Sequence, residues 1–320
     1  MRSDSHGCRA AASLHWLVIA AVALGAAALA RQANAQRVEY SGSFQSATGR
    51  YLFTERTTSL SLFNGLSLDL GRLRLTAMVP VLYQNSTAVT FIAGSPVPTG
   101  GPDADVVRQR QGSTRVPMGS GGKGRTSIRG VMGMTAASLN EADAEVVAEP
   151  GEFEMNLGDP LVQAELDLYR GAGVVRAFTV SAVAKAPVAD VASGIGTGEW
   201  DFGAGAMFAL GGNRTFLLAN AAYWLLGDMP ELPLENTLSY GASVGRALGA
   251  TGRWSVSGSV MGSTAVVETS DAPLSAGVGV GYLRDGGDGI NVGVMFGLSE
   301  SSPDVSTYVG WRVPLGGHKK

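Results

Sequence analysis

The sequence predicts an all-β fold, a transmembrane antiparallel up-and-down barrel of about 12 strands, and three observations carry that expectation. Long stretches alternate apolar with small or polar residues at the period of two that an extended strand imposes. An export segment precedes them. No later stretch offers the roughly 20 uninterrupted apolar residues that a membrane helix needs, so a membrane would be crossed with strands.

The alternation is clearest toward the C-terminus. Trp254, Val256, Gly258 and Val260 oppose Arg253, Ser255, Ser257 and Ser259; Ala276, Val278, Val280 and Tyr282 oppose Ser275, Gly277, Gly279 and Gly281. Ile290, Val292, Val294, Phe296 and Leu298 oppose Asn291, Gly293, Met295, Gly297 and Ser299. A soluble sandwich buries its large apolar side chains and shows charge outside. Here the second face is mostly Gly and Ser, which suits a barrel with lipid outside and a lumen within.

Arg2 and Arg9 precede the apolar run Leu17 to Leu29, and Ala33-Asn34-Ala35 supplies the small residues of a cleavage site, so residues 1–35 read as a cleaved signal peptide. Residues 36–320 then read as one barrel domain, since no composition shift divides them. Cys8, the chain's one cysteine, lies in the leader, so the fold must hold without disulfides. Closure of a barrel can do that. Charged residues are sparse at 16% and the net charge is −3, which argues against nucleic acid as a partner.

Taken in order, Val38, Tyr40, Gly42 and Phe44 open the first strand with Arg37, Glu39, Ser41 and Ser43 toward the lumen, followed by a loop at 47–56. The second strand, 59–70, carries Leu60, Leu62, Leu66, Leu68 and Leu70 on one face, and Gly71-Arg72 turns it into a third with Leu73, Leu75, Ala77, Val79 and Val81. From about 86 to 156 the alternation fails and a long outer loop is expected, its first half basic (Arg108, Arg110, Arg115) and its second acidic (Glu141, Asp143, Glu145). Strands resume at 159–169, 174–185, 200–210, 215–226 and 237–246, continue through the three segments above, and end with 305–315. Short connections at 71–72, 171–173, 211–213, 249–252 and 285–288 alternate with longer ones, as periplasmic turns alternate with outer loops. The bacterial outer membrane is the expected location. Tyr40, Tyr83, Tyr169, Trp200, Trp224, Tyr240, Trp254, Tyr282 and Trp311 fall near strand ends, as an interfacial girdle or as local packing.

Catalysis is not expected. His6 and His15 fall in the leader and His318 in the tail, so the barrel offers no imidazole to activate a nucleophile or to join a metal cluster, and no cofactor is called for. Arg72, Arg74, Asp159, Glu165, Asp167, Lys185, Asp201 and Arg312 are the candidate lumen charges, able to select among solutes or simply to keep the wall wet. In the last strand Tyr308, Gly310, Val313 and Leu315 resemble the C-terminal signal read by the bacterial barrel-assembly machinery, with Pro314 interrupting it.

Asn156-Leu157-Gly158-Asp159-Pro160, Lys185-Ala186-Pro187, Gly196-Thr197-Gly198 with Asp201, and later Asn220 and Tyr223 resemble the MetA-pathway phenol-degradation transporter family of outer-membrane barrels. That resemblance implies passage of hydrophobic, often aromatic, compounds across the outer membrane. It singles out Asp159 and Asp201, for which substrate contact and turn capping are both open. The expected function is therefore a passive channel for small hydrophobic solutes, with outer-membrane lipid, the assembly machinery and the solute as partners. The alternative is a structural or surface-interaction barrel whose long loop binds a partner.

Overall fold

The computed structural model describes residues 37–51, 56–85, 89–92, 95–99, 153–191, 195–229, 232–268, 270–284 and 287–315. The expected leader, both charged halves of the long loop and the tail at 316–320 lie outside them. In chain order the strands are β1 (Arg37–Gly49), β2 (Thr57–Leu70), β3 (Leu73–Gln84), β4 (Val89–Ile92), β5 (Ser95–Pro98), β6 (Glu154–Leu157), β7 (Leu161–Arg170) and β8 (Val175–Lys185). They continue with β9 (Asp201–Gly211), β10 (Thr215–Leu225), β11 (Thr237–Leu248), β12 (Trp254–Ser263), β13 (Leu274–Leu283), β14 (Gly289–Gly297) and β15 (Val305–Pro314).

Each long strand pairs antiparallel with its sequence neighbours, and β1 closes the ring against β15 with Phe44 opposite Val309 and Tyr40 opposite Val313. Among the described residues the wall is thus a closed 12-stranded barrel, β6 and β7 counting as one wall strand because both pair with β3. Closure leaves no open edge, which lipid would not hydrogen-bond. The seam is sealed to its last residue, where the Leu315 amide donates to the Val38 carbonyl at 2.7 Å. At Leu315 the assembly-like pattern also ends, and the register splits it: Tyr308 and Gly310 point inward opposite Gln45 and Ser43, whereas Val313 points outward with Tyr40.

The face assignment holds around the wall. Val278, Phe296 and Val292 are 60%, 50% and 47% exposed on the outside, whereas inward Met295 is 4% exposed. Asn64, a polar residue at mid-strand on the outer face of β2, accepts a hydrogen bond from the outward Tyr40 hydroxyl at 2.9 Å, which lowers the penalty of holding an amide against lipid. A departure from strict alternation and a departure from the expected girdle both have local causes. A bulge between Asp167 and Tyr169 puts Leu168 and Tyr169, 48% and 47% exposed, on the same outer face. Trp224, expected in the girdle, is instead 8% exposed and inward, its indole N–H donating to Ser239 Oγ at 3.3 Å; Tyr223, 48% exposed, takes the outer position. Trp254 and Tyr282 do meet outside at the turn end of the barrel, their rings tilted by 49° with centroids 4.8 Å apart.

Both termini of the ring and the short turns lie at one end. Gly71, at φ +80, supplies the left-handed residue that the β2–β3 turn requires. The longer connections lie at the other, outer end. There the 86–156 region departs from a plain loop, for it holds the β4–β5 hairpin and β6. Ile92 and Val97 of the hairpin pack with Met229, Leu232, Leu234, Val266 and Val267 of the β10–β11 and β12–β13 connections, all at most 7% exposed. The apolar run from Val89 to Ile92 is short and flanked by prolines on its partner strand, so no long alternation announces it in the sequence.

Val278→Arg, on the outer face, should lower barrel stability by about 2–4 kcal/mol, whereas Ser257→Arg, on the inner face, should leave it nearly unchanged. Urea unfolding in detergent micelles reads both, and equal losses would reverse the face assignment.

Candidate functional site: a lumen with two charged rims and an apolar waist

At the outer end, three of the expected charges form one buried cluster. Lys185, the last residue of β8, places Nζ 2.8 Å from Asp159 Oδ2 and 3.0 Å from Oδ2 of its cross-strand neighbour Asp201, and donates to Thr197 Oγ1 at 2.9 Å. All three charged side chains are at most 5% exposed. Asp159 Oδ1 accepts from the Val188 and Ala189 amides, both at 2.8 Å, and Asp201 Oδ1 from the Gly227 amide at 3.0 Å. Burying one ammonium and two carboxylates is unfavourable by desolvation and is offset only because each is paired and hydrogen-bonded.

The surrounding sequence is built to permit this. Pro160 cannot donate to a ladder and interrupts the wall strand between β6 and β7, which frees Asp159 from the strand. Gly158 lies against Pro80 and Leu82, where a Cβ would come within 2.9 and 2.7 Å of their side chains. Gly196 lets its loop approach, since a Cβ there would meet Ala189 at 2.8 Å and Asp159 Oδ2 at 3.0 Å. The short motifs that lie far apart in sequence, around Asp159, Lys185, Thr197 and Asp201, are parts of this one assembly. For Asp159 and Asp201 the geometry is that of loop anchors.

The remaining charges gather at the inner end. Arg74 makes a two-pronged bond to Asp69, 2.7 Å and 3.2 Å, and lies 3.9 Å from Glu39, which in turn is 3.8 Å from Arg312. Glu165 stands opposite Arg74 in the β3–β7 ladder. Asp167 accepts from the Thr179 hydroxyl at 2.6 Å and pairs with Arg170. The expected charges therefore split between two rims, with Lys185 on the opposite rim from Arg74, Glu165, Asp167 and Arg312. Arg72 belongs to neither: it sits exposed in the β2–β3 turn, beyond the wall. Glu39 and Asp69 belong to the inner rim and were not singled out from the sequence, although the inward parity of both follows from their strands' alternation. Thr197 could not have been found that way, because it comes from a loop.

Between the rims the wall turns apolar. Phe63, Met78, Phe216, Leu218 and Tyr308 line an inner cavity of about 820 Å³ together with Ser41, Ser43 and Asn291. An outer cavity of about 340 Å³ is bounded by Ile92, Pro96 and Val97 of the hairpin and by Asn220, Ser239, Met261 and Met295 of the wall; Gln45 borders both. The inward glycines act as seats for the large side chains. A Cβ at Gly293 would come within 2.5 Å of the Tyr308 ring, and one at Gly279 within 2.8 Å of its hydroxyl. The same cross-strand relation joins Gly245 to Phe216, Gly277 to Met295 and, at 3.0 Å, Gly203 to Trp224. Each ring or thioether thus lies flat along the wall instead of projecting across the bore.

No protein-family model matches the sequence. No curated protein matches it either. Solved structures do: the COG4313 outer membrane channel from Pseudomonas putida F1 has 11% identity and a TM-score of 0.55 over 87% of this chain and 95% of that one. A second, the CymD monoaromatic hydrocarbon channel, has 9% identity and a TM-score of 0.41 over 93% of each. A third, the translocator domain of the autotransporter NalP from Neisseria meningitidis, has 11% identity and a TM-score of 0.41 over 95% of this chain and 96% of that one. At such identity the first of these supports the fold, and the fold is that of a bacterial outer-membrane β-barrel.

Two outcomes follow from the geometry. Lys185→Met leaves two buried carboxylates facing each other and should destabilise the barrel by about 3–5 kcal/mol, with Lys185→Met/Asp159→Asn/Asp201→Asn recovering much of the loss in a urea titration. Gly293→Val should swing Tyr308 off the wall and lower single-channel conductance, and adding Tyr308→Ala should restore it.

Proposed function

We propose that this protein is a passive outer-membrane channel for small hydrophobic solutes, aromatic ones above all. The observation that carries the reading is the waist. Phe63, Met78, Phe216, Leu218 and Tyr308 line the inner cavity, and Met207 and Met295 hold inward positions further up the wall, between rims of opposite-charge pairs. An inward apolar belt serves no purpose for a wet pore, which is lined by charge and hydroxyls. It suits a solute that sheds water on entry and gains by burying its faces against flat rings and thioethers. The relation to the phenol-degradation transporter family is part of the same proposal, supported by the Asp159, Lys185 and Gly196 motifs. A channel from Pseudomonas putida F1 with this architecture is consistent with it.

Enzyme chemistry has less support. The chain's three histidines are at positions 6, 15 and 318, outside the described residues, and the rim carboxylates of Asp69, Asp159 and Asp201 are engaged by arginine, lysine or backbone amides. Selection among solutes falls to the inner rim, where Arg74, Glu165, Asp167 and Arg312 face the path. Assembly by the barrel-assembly machinery through the β15 terminus belongs to the same proposal.

Planar-bilayer recording tests it. The purified barrel should conduct ions weakly, toluene should block that current, and Tyr308→Ala with Phe63→Ala should weaken the block. Removing the hairpin, residues 88–99, should raise the conductance. A barrel that stays silent with and without the hairpin is a surface-interaction barrel.

A further inference from the structure

We infer that the outer wall carries a binding site for an anionic glycerophospholipid of the inner leaflet, with Arg246 holding the phosphate and a groove across β11–β15 holding an acyl chain. From β9 to β15, Arg246 is the one charged residue at an outward register position; it faces Thr215 on β10 and Val256 on β12. It is exposed, and no carboxylate pairs with it among the described residues. Its depth matters. Leu248 pairs with Trp254, and Trp254 packs against Tyr282, at the level where an aromatic girdle marks the inner interface. Arg246 stands two residues further along the strand, roughly 5 Å deeper into the span once strand tilt is allowed for. A guanidinium there is unfavourable in hydrocarbon unless an anion or the interface is within reach of its stem.

The wall above it is concave. A groove of about 1010 Å³ runs from Thr215 and Arg246 across Val244, Val256, Val278 and Val292. Gly258 forms part of its floor, for a Cβ there would find only the Gly277 carbonyl oxygen within reach, at 3.9 Å. The groove is bordered by the Arg246 cation and the Thr215 hydroxyl at its inner-leaflet end, and beyond them it is lined mainly by valines, with the Thr307 hydroxyl at its far side. That is the charge and shape of a phosphodiester joined to an alkyl chain. The inner leaflet follows from the short turns and both ends of the ring lying on Arg246's side.

The test uses the delipidated wild-type barrel reconstituted with phosphatidylglycerol and chain-matched phosphatidylethanolamine, with lipid retained after repurification quantified by native mass spectrometry. Wild type should retain phosphatidylglycerol preferentially, and Arg246→Ala should reduce that retention about fivefold, the effect of one arginine at a membrane surface. Gly258→Leu, which fills the groove and keeps the cation, should reduce retention comparably, while both variants keep wild-type heat resistance on gels. Glycerol phosphate in excess should not displace the lipid. Equal retention by wild type and Arg246→Ala, undiminished retention by Gly258→Leu, or displacement by glycerol phosphate would each overturn the site.

Discussion

Lipid offers no hydrogen bonds, and that constraint decides most of what this chain does. Every backbone donor and acceptor at membrane depth must find its partner within the wall, so the first strand has to meet the last. The β1–β15 ladder, ten residue pairs from Glu39–Pro314 to Thr48–Val305, supplies that closure. Once the ring is closed, the alternation of strands turns one set of side chains to lipid and the other to a confined interior. The interior then has to be kept from filling, and small residues do this. Gly205, Gly241, Gly277, Gly279 and Gly293 line it alongside Ser41, Ser43, Ser243, Ser257 and Ser259.

Glycine in a strand weakens it intrinsically, because it gives up more backbone freedom and packs no side chain. Here the missing side chain is space used by another. Tyr308 reaches across β14 to β13 over two glycines, and Met295, Phe216 and Trp224 repeat the arrangement with one each. The wall recovers packing and the lumen keeps its bore. The apolar waist and the charged rims then divide the work. The rims are fixed by ion pairs that hold loops and strand ends, and the waist presents the only large apolar surfaces that a passing molecule would meet among the described residues.

Much of this was legible in the sequence because period two needs no tertiary information. The parity of Val278 against Gly279, or of Leu66 against Ser67, is the same in the sequence and in the wall. What escaped has physical reasons. The bulge at Asp167–Tyr169 breaks parity locally, and Trp224 and Tyr223 are adjacent aromatics that composition alone does not tell apart. The β4–β5 hairpin folds against loops distant in sequence, so its apolar residues look like any short run. The splitting of the charges into two rims depends on which end of its strand each occupies: Lys185 closes β8 at the outer end, whereas Arg74 opens β3 at the inner one. Asp159 and Asp201 stood out as motif residues, but only the fold shows that one lysine joins them.

The proposed function requires a passage between the outer and inner cavities past apolar side chains. Site-directed thiol labelling tests it most directly, in a chain carrying Cys8→Ser so that the introduced cysteine is the only one. Met207→Cys, inward at mid-height between Thr179 and Asn220, should react with a small water-soluble methanethiosulfonate in sealed liposomes, and toluene should slow that reaction. Ala206→Cys, one residue away on the lipid face, should not react. A Met207→Cys barrel that stays unlabelled when the hairpin is removed, or is labelled at the same rate with and without toluene, would contradict a hydrophobic passage through this lumen.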